Sequence, residues 1–568
     1  MIFKSIMVTC ITAGICPLLA QAEGDVYYGE PVQLHSRFVY FTSWKYVRPG
    51  SFTWRTQYDA DTPEAEKAKD AGMKGDGTKP ALFDLMDMPR GIRLVAQKCE
   101  KVPFAAGQMA ADVYDQGKYK VWYNIDPCPE PEPYSTKDKI PPGFDQHIAY
   151  AESLDGVHWS KPDLSLIEYA GNAQNNIVFR GDLEGSTRGL HNGSVFVDPS
   201  SRDEPYKMIY LGIITEDEWN AFAKKYPGEI DTKARRADVS GRRMVNAVFG
   251  AASMDGIHWR TLPEPLMIQQ AESINNCYYD VELKKYVAYV RVWEVNPKAP
   301  GTESQNIDSW YSIGRRAIGR CYSSDFQHFS VPETVFAAGA DLPPNQVWYT
   351  NCKTTLPGCP DNHVMFPWLW ETESDGGSVW LLSSPDGRYW SKVPGGPVVE
   401  PGPLGGPDGG CVIGTHLLVE YPGDKWAIGY SGSVIPHKYP GRDLARRKGL
   451  FPGAQAAEGL AVWPRGRLVA LQCDDEGQFA TVAIVPPGEH IRLNASIRPT
   501  GYLKVAVHRY GASGDIPGRS FEEADHMIGD GLNMPVTWKG EADLKRENAP
   551  VILRFQLRQA KLFGIEFY

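Results

Sequence analysis

Ser153-Leu154-Asp155-Gly156-Val157-His158-Trp159 returns as Ser253-Met254-Asp255-Gly256-Ile257-His258-Trp259 and as Ser384-Pro385-Asp386-Gly387-Arg388-Tyr389-Trp390. A fourth copy, Ser323-Ser324-Asp325-Phe326-Gln327-His328-Phe329, lacks the glycine. Asp-Gly marks a tight turn: glycine accepts positive φ, and the aspartate carboxylate can bond nearby backbone amides. Each copy follows a short apolar or small-residue run, so the closing aromatic is expected to open the next strand and pack between sheets. Read this way the motif is scaffold, and His158, His258 and His328 are structural residues rather than ligands.

A second element precedes each of these turns: an apolar run, a polar turn and a tyrosine-bearing run. Its copies are 112–123, 194–198 with 206–210, and 277–280 with 286–289; weaker ones fall at 351–370 and 411–430. Alternating apolar positions bounded by turn residues read as hairpins. A self-similar unit of this length is the mark of a repeat architecture. Five units of about four strands predict an all-β chain, a five-bladed β-propeller over 100–475 whose twisted sheets leave a funnel on the axis. Residues 23–99 are expected to complete the propeller.

Two segments depart from the repeat. Residues 216–225 carry acids first and lysines last, which suits a helix and its dipole. With Arg235, Arg236, Arg242 and Arg243 this helix reads as an insertion in the second unit, and such a run of charge is usually a solvated face. After about residue 475 strand-like segments continue at 491–496, 502–510, 551–557 and 561–567. They predict a C-terminal antiparallel β-sandwich over 476–568, an ordinary domain size.

The 568 residues are 42 % hydrophobic and 23 % charged, enough to bury a core and too ordered in composition for a disordered or collagen-like chain. With 59 Lys+Arg against 69 Asp+Glu the net charge is −10, which argues against a nucleic-acid partner. Lys4, the apolar stretch 6–19 and Ala20-Gln21-Ala22 read as a signal peptide over 1–22. The stretch is short for a span of about 20 residues, so the mature chain is expected to be secreted or periplasmic, with no membrane insertion. Export leaves eight of the 10 cysteines, among which Cys352 and Cys359 could pair across a Pro/Gly loop or stand free as buried small hydrophobes. H-E-x-x-H, C-x-x-C, G-x-S-x-G and the nucleotide-binding glycine patterns do not occur, so no cofactor is expected. A structural calcium held by funnel oxygens is allowed by the chemistry and demanded by no spacing.

The chain resembles the five-bladed glycosidase superfamily that includes families 32, 43, 62, 68, 117 and 130. More closely it resembles exported bacterial proteins of the kind called glycosyl hydrolase family 32 N-terminal-like. The residues that carry the resemblance are the S-x-D-G-x-x-W turns and Leu82-Phe83-Asp84 with Gly91-Ile92-Arg93. Others are Glu272-Ser273-Ile274-Asn275 before Tyr286-Val287-Ala288-Tyr289-Val290-Arg291, and Met365-Phe366-Pro367. In the tail they are Trp538-Lys539-Gly540, Asp543-Leu544 and Val551-Ile552-Leu553-Arg554-Phe555. The resemblance implies glycoside chemistry with acids presented at the funnel from several blades. It does not fix the reaction, since one fold hosts many.

Glycoside hydrolysis normally needs two carboxyl groups flanking the scissile bond. Glu272 precedes the third inner strand and Asp408 opens the fifth within Gly406-Pro407-Asp408-Gly409-Gly410, so these two are the candidate acid/base pair. Asp112 is the first-blade candidate, although it lies inside its strand where families 32 and 43 carry an acid at the head. Asp182 and Glu184 could reach over the funnel from a loop. A carbohydrate partner would be gripped by an aromatic platform and by planar hydrogen-bonding groups. The candidates are His191, Asn192, Asn275, Arg291, Tyr349, Asn351 and Trp368, with Trp293, Trp348 and Trp370 nearby. The expected function is an exported exo-acting glycoside hydrolase on a plant or algal polysaccharide or oligosaccharide. A non-catalytic carbohydrate-binding propeller and a phosphorolytic or sialidase-like enzyme are the alternatives. The oligomeric state is left open.

Overall fold

The computed structural model describes residues 30–49, 89–103, 108–125, 145–169, 171–181, 188–227, 236–239, 242–269, 271–294, 315–415, 417–437, 457–510 and 514–568. The signal segment 1–22, Asp182, Glu184 and Arg235 lie outside them. The described chain is almost wholly β, with α-helix confined to Glu216–Lys225. That helix starts where the sequence places it. Thr215 accepts from the Glu218 amide while the Glu218 carboxylate accepts from the Thr215 amide, so two orphan donors of the first turn are satisfied together.

Contacts divide the chain into two units, the larger formed by Tyr40–Lys45 and Leu94–Leu471. Its backbone is a succession of antiparallel sheets. The first runs Gln108–Asp115, Lys118–Ile125, His147–Ser153, Trp159–Ser160. The second runs His191–Val197, Tyr206–Thr215, Arg242–Ser253, Arg236–Val239, and the third Asn276–Asp280, Lys285–Glu294, Arg315–Ser323, Glu333–Phe336. The fourth holds Lys353–Leu356, Cys359–Met365, Leu382–Ser384 and Ser391–Lys392, beside a three-stranded sheet of Gln346–Trp348, Trp368–Glu371 and Gly376–Val379. The fifth orders Cys411–Gly414, Lys425–Ser433, Ala457–Pro464 and, last, Glu100–Pro103.

Each sheet touches the next. His191–Val197 meets both Gln108–Asp115 and Asn276–Asp280, Arg315–Ser323 meets Gln346–Trp348, and Gly376–Val379 meets Cys411–Gly414. Lys425–Ser433 returns to Gln108–Asp115, which closes the succession on itself. The central strands are covered on both faces, which is why Tyr206–Thr215 is buried over nearly its whole length and runs without a charge from Met208 to Ile214.

The repeated turn is built as the sequence requires. Ser153 Oγ accepts from the Gly156 amide at 2.8 Å, and Asp155 Oδ1 accepts from the Val157 and His158 amides at 2.9 and 2.8 Å. Ser253-Asp255 and Ser384-Asp386 repeat the pattern. Trp159, Trp259 and Trp390 each donate their indole N–H to the glycine carbonyl of their own turn. His158 Nδ1 lies 2.7 Å from Asp155 Oδ2, and this bond with those of the amides holds the Asp155 carboxyl well below its ordinary range. The fourth copy has Phe326 at positive φ (59°) in place of glycine.

These turns also join neighbouring sheets. Trp122 of the first sheet donates to Gly256 O of the second at 2.7 Å, and Tyr289 of the third donates to Gly387 O of the fourth at 2.5 Å. A second joint uses the tyrosine opposite the motif serine. Tyr206, across from Ser253, donates to Asp115 Oδ2 of the preceding sheet, and Tyr286, across from Ser323, donates to Asp198 Oδ2 at 2.6 Å.

The smaller unit gathers Gln472–Tyr568 with the described residues 30–39, 46–49 and 89–93. Its two longest strands, Ile491–Arg509 and Val551–Phe567, pair antiparallel, with register shifts at Asn494/Ala495 and Ile497/Tyr502. Such bulges bend a long strand. Phe479 and Phe555 stack at 4.6 Å, and the buried Trp538 donates to Val505 O at 2.8 Å. Among the described residues no cysteine is in a disulfide, and Cys352 and Cys359 are both buried, which is the buried-hydrophobe alternative for this pair.

Candidate functional site

The innermost strands of the larger unit begin at Gln108, His191, Asn276, Lys353 and Cys411. A strand head has amides with no ladder partner, and side-chain amides of the neighbouring sheet supply acceptors. Gln146 Oε1 accepts from Asn192 N at 2.8 Å, Asn124 Oδ1 from Gly193 N at 3.2 Å, and Asn276 Oδ1 from Lys353 N at 3.0 Å. Asn275 and Asn351 belong to the same bracing. Asn275 donates to Ala271 O and Ser273 O, and Asn351 to Ile274 O and Tyr289 O; both are 2 % exposed. Their amides hold backbone.

Glu272 stands one turn before the third inner strand with its side chain 29 % exposed. Arg291 reaches it from the adjacent strand, bonding Glu272 O at 2.5 Å and approaching Oε2 at 3.6 Å. Arg316 lies beside Arg291, and both are buried. Burial and then Arg316 push the Arg291 guanidinium down to about 9. Aromatic faces receive the two cations: Arg291 lies 5.1 Å from the Trp293 ring, and Arg316 lies 3.5 Å from Tyr349 and 5.9 Å from Trp370. Tyr349 packs on Trp368 and Trp370 and meets His437, whose Nε2 is 3.0 Å from its hydroxyl. Asp375 Oδ1 accepts from Trp370 Nε1 at 3.0 Å. Trp293, Trp368 and Trp370 are buried and support this wall from behind, whereas Trp348, also buried, packs with Phe336 in a separate core cluster.

His191 and Asn192 sit half-buried at the second strand head, 3.0 Å apart through Nε2 and Nδ2. A register shift after His191 and a φ of 51° at Asn192 take Asn192 out of the ladder, while His191 still pairs with Leu211. Asp112 lies within Gln108–Asp115, opposite Val121, two residues past a bulge.

Asp408 stands three residues before the fifth inner strand, which begins at Cys411, and its carboxylate runs to Lys101 of the outermost strand at 2.5 Å, with only 9 % of the side chain exposed. Gly402 and Gly432 clear the space it fills: a Cβ at either would collide with Asp408. Three further groups near the strand heads are Arg316, His437 and Glu458, the last accepting from Ser431 Oγ at 2.9 Å. None has a counterpart in the repeat, so no sequence pattern marks it. Among the described residues no three His, Cys, Asp or Glu side chains stand together as a metal site, and no helix is long and apolar enough to cross a membrane.

No protein-family model matches the chain, and no curated protein matches it in sequence. Solved structures similar to it include glycoside hydrolases and an N-acetylgalactosamine deacetylase. BT0996, solved as a complex with RGII, shares 13 % identity at a TM-score of 0.40, over 65 % of this chain and 92 % of its own. A family 32 β-fructofuranosidase of Bombyx mori shares 10 % at 0.35 over 89 % and 99 %, and a thermostable family-43 glycoside hydrolase 12 % at 0.36 over 63 % and 90 %. At such scores the likeness says nothing of substrate or of individual residues.

Proposed function

We propose that the chain is an exported carbohydrate-active enzyme of the glycosidase kind, a five-bladed propeller followed by a β-sandwich, with Glu272 as the carboxylate that meets the sugar. The observation that carries this reading is Glu272 itself: an accessible acid at an inner-strand head, set against two buried arginines and backed by an aromatic wall. Paired with Arg291, Glu272 suits the ionised member of the two carboxyl groups that glycoside hydrolysis uses. His191 and Asn192 at the second strand head, and His437 against Tyr349, are the further hydroxyl-binding groups in this reading.

Glu272→Gln should lower turnover of a cleavable glycan by at least about a hundredfold per folded molecule, with a melting temperature lower by a few degrees because the buried Arg291 loses its counter-charge. Full activity in that variant would remove Glu272 from the chemistry. A second reading, a glycan receptor without turnover, is favoured by the Asp408–Lys101 pair, which occupies the other candidate carboxylate. Calorimetric binding across a glycan panel with no product released would support the receptor.

A further inference from the structure

The junction between the third and fourth sheets departs from the other joints. Where Tyr206 and Tyr286 stand across from their motif serines, His363 stands across from Ser384. Where Asp115 and Asp198 accept from those tyrosines, Asp280 turns back to the amides of Glu282 and Leu283 at 3.1 and 2.9 Å. The junction has gained positive charge instead. Lys353, 4 % exposed, places its Nζ 3.3 Å from the Tyr278 ring centroid and 5.8 Å from that of Tyr289. Arg320, 3 % exposed, lies 6.0 Å from the same Tyr289 ring and 4.9 Å from Tyr322.

Neither cation has a carboxylate partner among the described residues. Asp361 is taken by Lys45 at 3.1 Å, and Asp386 by the amides of its own turn. Three buried polar atoms of the cluster, Arg320 Nε, Tyr278 OH and His363 Nδ1, have no hydrogen-bond partner. At the corresponding joint between the first and second sheets Lys120 meets Asp115, so cation and oxyanion come together there. A buried guanidinium cannot shed its proton, and an unpaired buried charge costs several kcal/mol.

We propose that Lys353, Arg320, Tyr278 and His363 form a site for one small monovalent anion of the halide class, which takes the place of the carboxylate found where the first sheet meets the second and the second meets the third. Burial drives the Lys353 ammonium well below its ordinary range, the strain a bound anion would relieve. The site is distinct from Glu272 and does not depend on the glycosidase reading.

The test uses the whole chain in sodium gluconate, sodium chloride and sodium bromide at one ionic strength, with calorimetric melting and bromide-soaked crystals. Replacing gluconate with 100 mM halide should raise the melting temperature by about 2 °C. An anomalous bromide peak should stand at about 3.3 Å from Lys353 Nζ. Lys353→Met should lose both the response and the peak while melting no lower than the wild type in gluconate. Equal melting in all three salts overturns the proposal, as Lys353 then sits as a neutral amine; a peak without a melting response means occupancy only at crystal concentrations and overturns it too. Should the variant fail to fold, the wild-type peak and salt response decide.

Discussion

Gly256 shows what a single position does in this architecture. Its φ is 78°, and an added Cβ would stand 2.5 Å from Trp122 Cζ2 of the neighbouring sheet. Gly256→Ala should therefore cost about 2–4 kcal/mol, measured by denaturant unfolding. Gly358, at φ 70° with nothing within 4 Å, is the control, and Gly358→Ala should cost only about 1 kcal/mol. Equal losses would mean that the turn, and not the joint, sets the penalty. His363 gives the second expectation at this scale. Burial, then the charges of Lys353, Arg320 and Lys45, lower its imidazole to about 3. The unfolded chain takes up that proton near 6.5 and the folded one does not, so this group's stabilisation is lost as pH falls from about 6.5 to about 3, by roughly 1.4 kcal/mol per unit. His363→Gln should flatten the pH dependence of unfolding in that window. The roles of the turn histidines were legible in the sequence because His158 and His258 repeat. His363 was not, since only its strand pairing with Ser384 puts it where the earlier sheets carry tyrosine, and the cations around it come from other strands.

Strands are where sequence reasoning went furthest. The Ser-Asp-Gly turns, the helix from Glu216 and the inner strand opening at His191 all appear where patterning placed them. What patterning does not carry is side-chain direction at a strand head. Asp408 and Glu272 occupy like positions by sequence, yet one carboxylate lies beneath its sheet against Lys101 and the other is open beside Arg291. Gly402 and Gly432 decide the difference, because they leave room for Asp408 to turn inward. Asp408→Ala should thus cost about 1–3 kcal/mol of stability by stranding Lys101, and turnover per folded molecule should change less than tenfold. Unchanged melting with lost turnover would return Asp408 to the chemistry. The same logic places Asn275 and Asn351. Read by type they suit sugar hydroxyls, but strand heads have orphan amides and carbonyls of their own, and these claim the asparagines first.

At the scale of the molecule, the repeat forecasts a closed succession of sheets, and the last of them is completed by one short strand. Glu100–Pro103 pairs with Ala457–Pro464, Gly459 opposite Pro103, so the last sheet is finished by residues that precede the first. Period and turn chemistry in a sequence reveal units; which terminus supplies the final strand is a matter of long-range pairing that no local window contains. Replacing both Lys101 and Val102 with proline should remove a ladder donor, since one of two consecutive edge-strand amides faces Ala457–Pro464, and lower the melting temperature by several degrees, with loss of cooperativity measured as a van't Hoff enthalpy below the calorimetric one. An unchanged single transition would mean that closure adds little.

That late pairing also governs how the polypeptide is made. As it emerges from the ribosome, Glu100–Pro103 waits for a mate more than 350 positions downstream, since Gly459 meets Pro103. Until then the nascent chain presents an orphan edge to its surroundings, a hazard for sticking to other chains. In a chain exported as we propose, the same delay serves translocation, because the ring can snap shut only on the far side of the membrane.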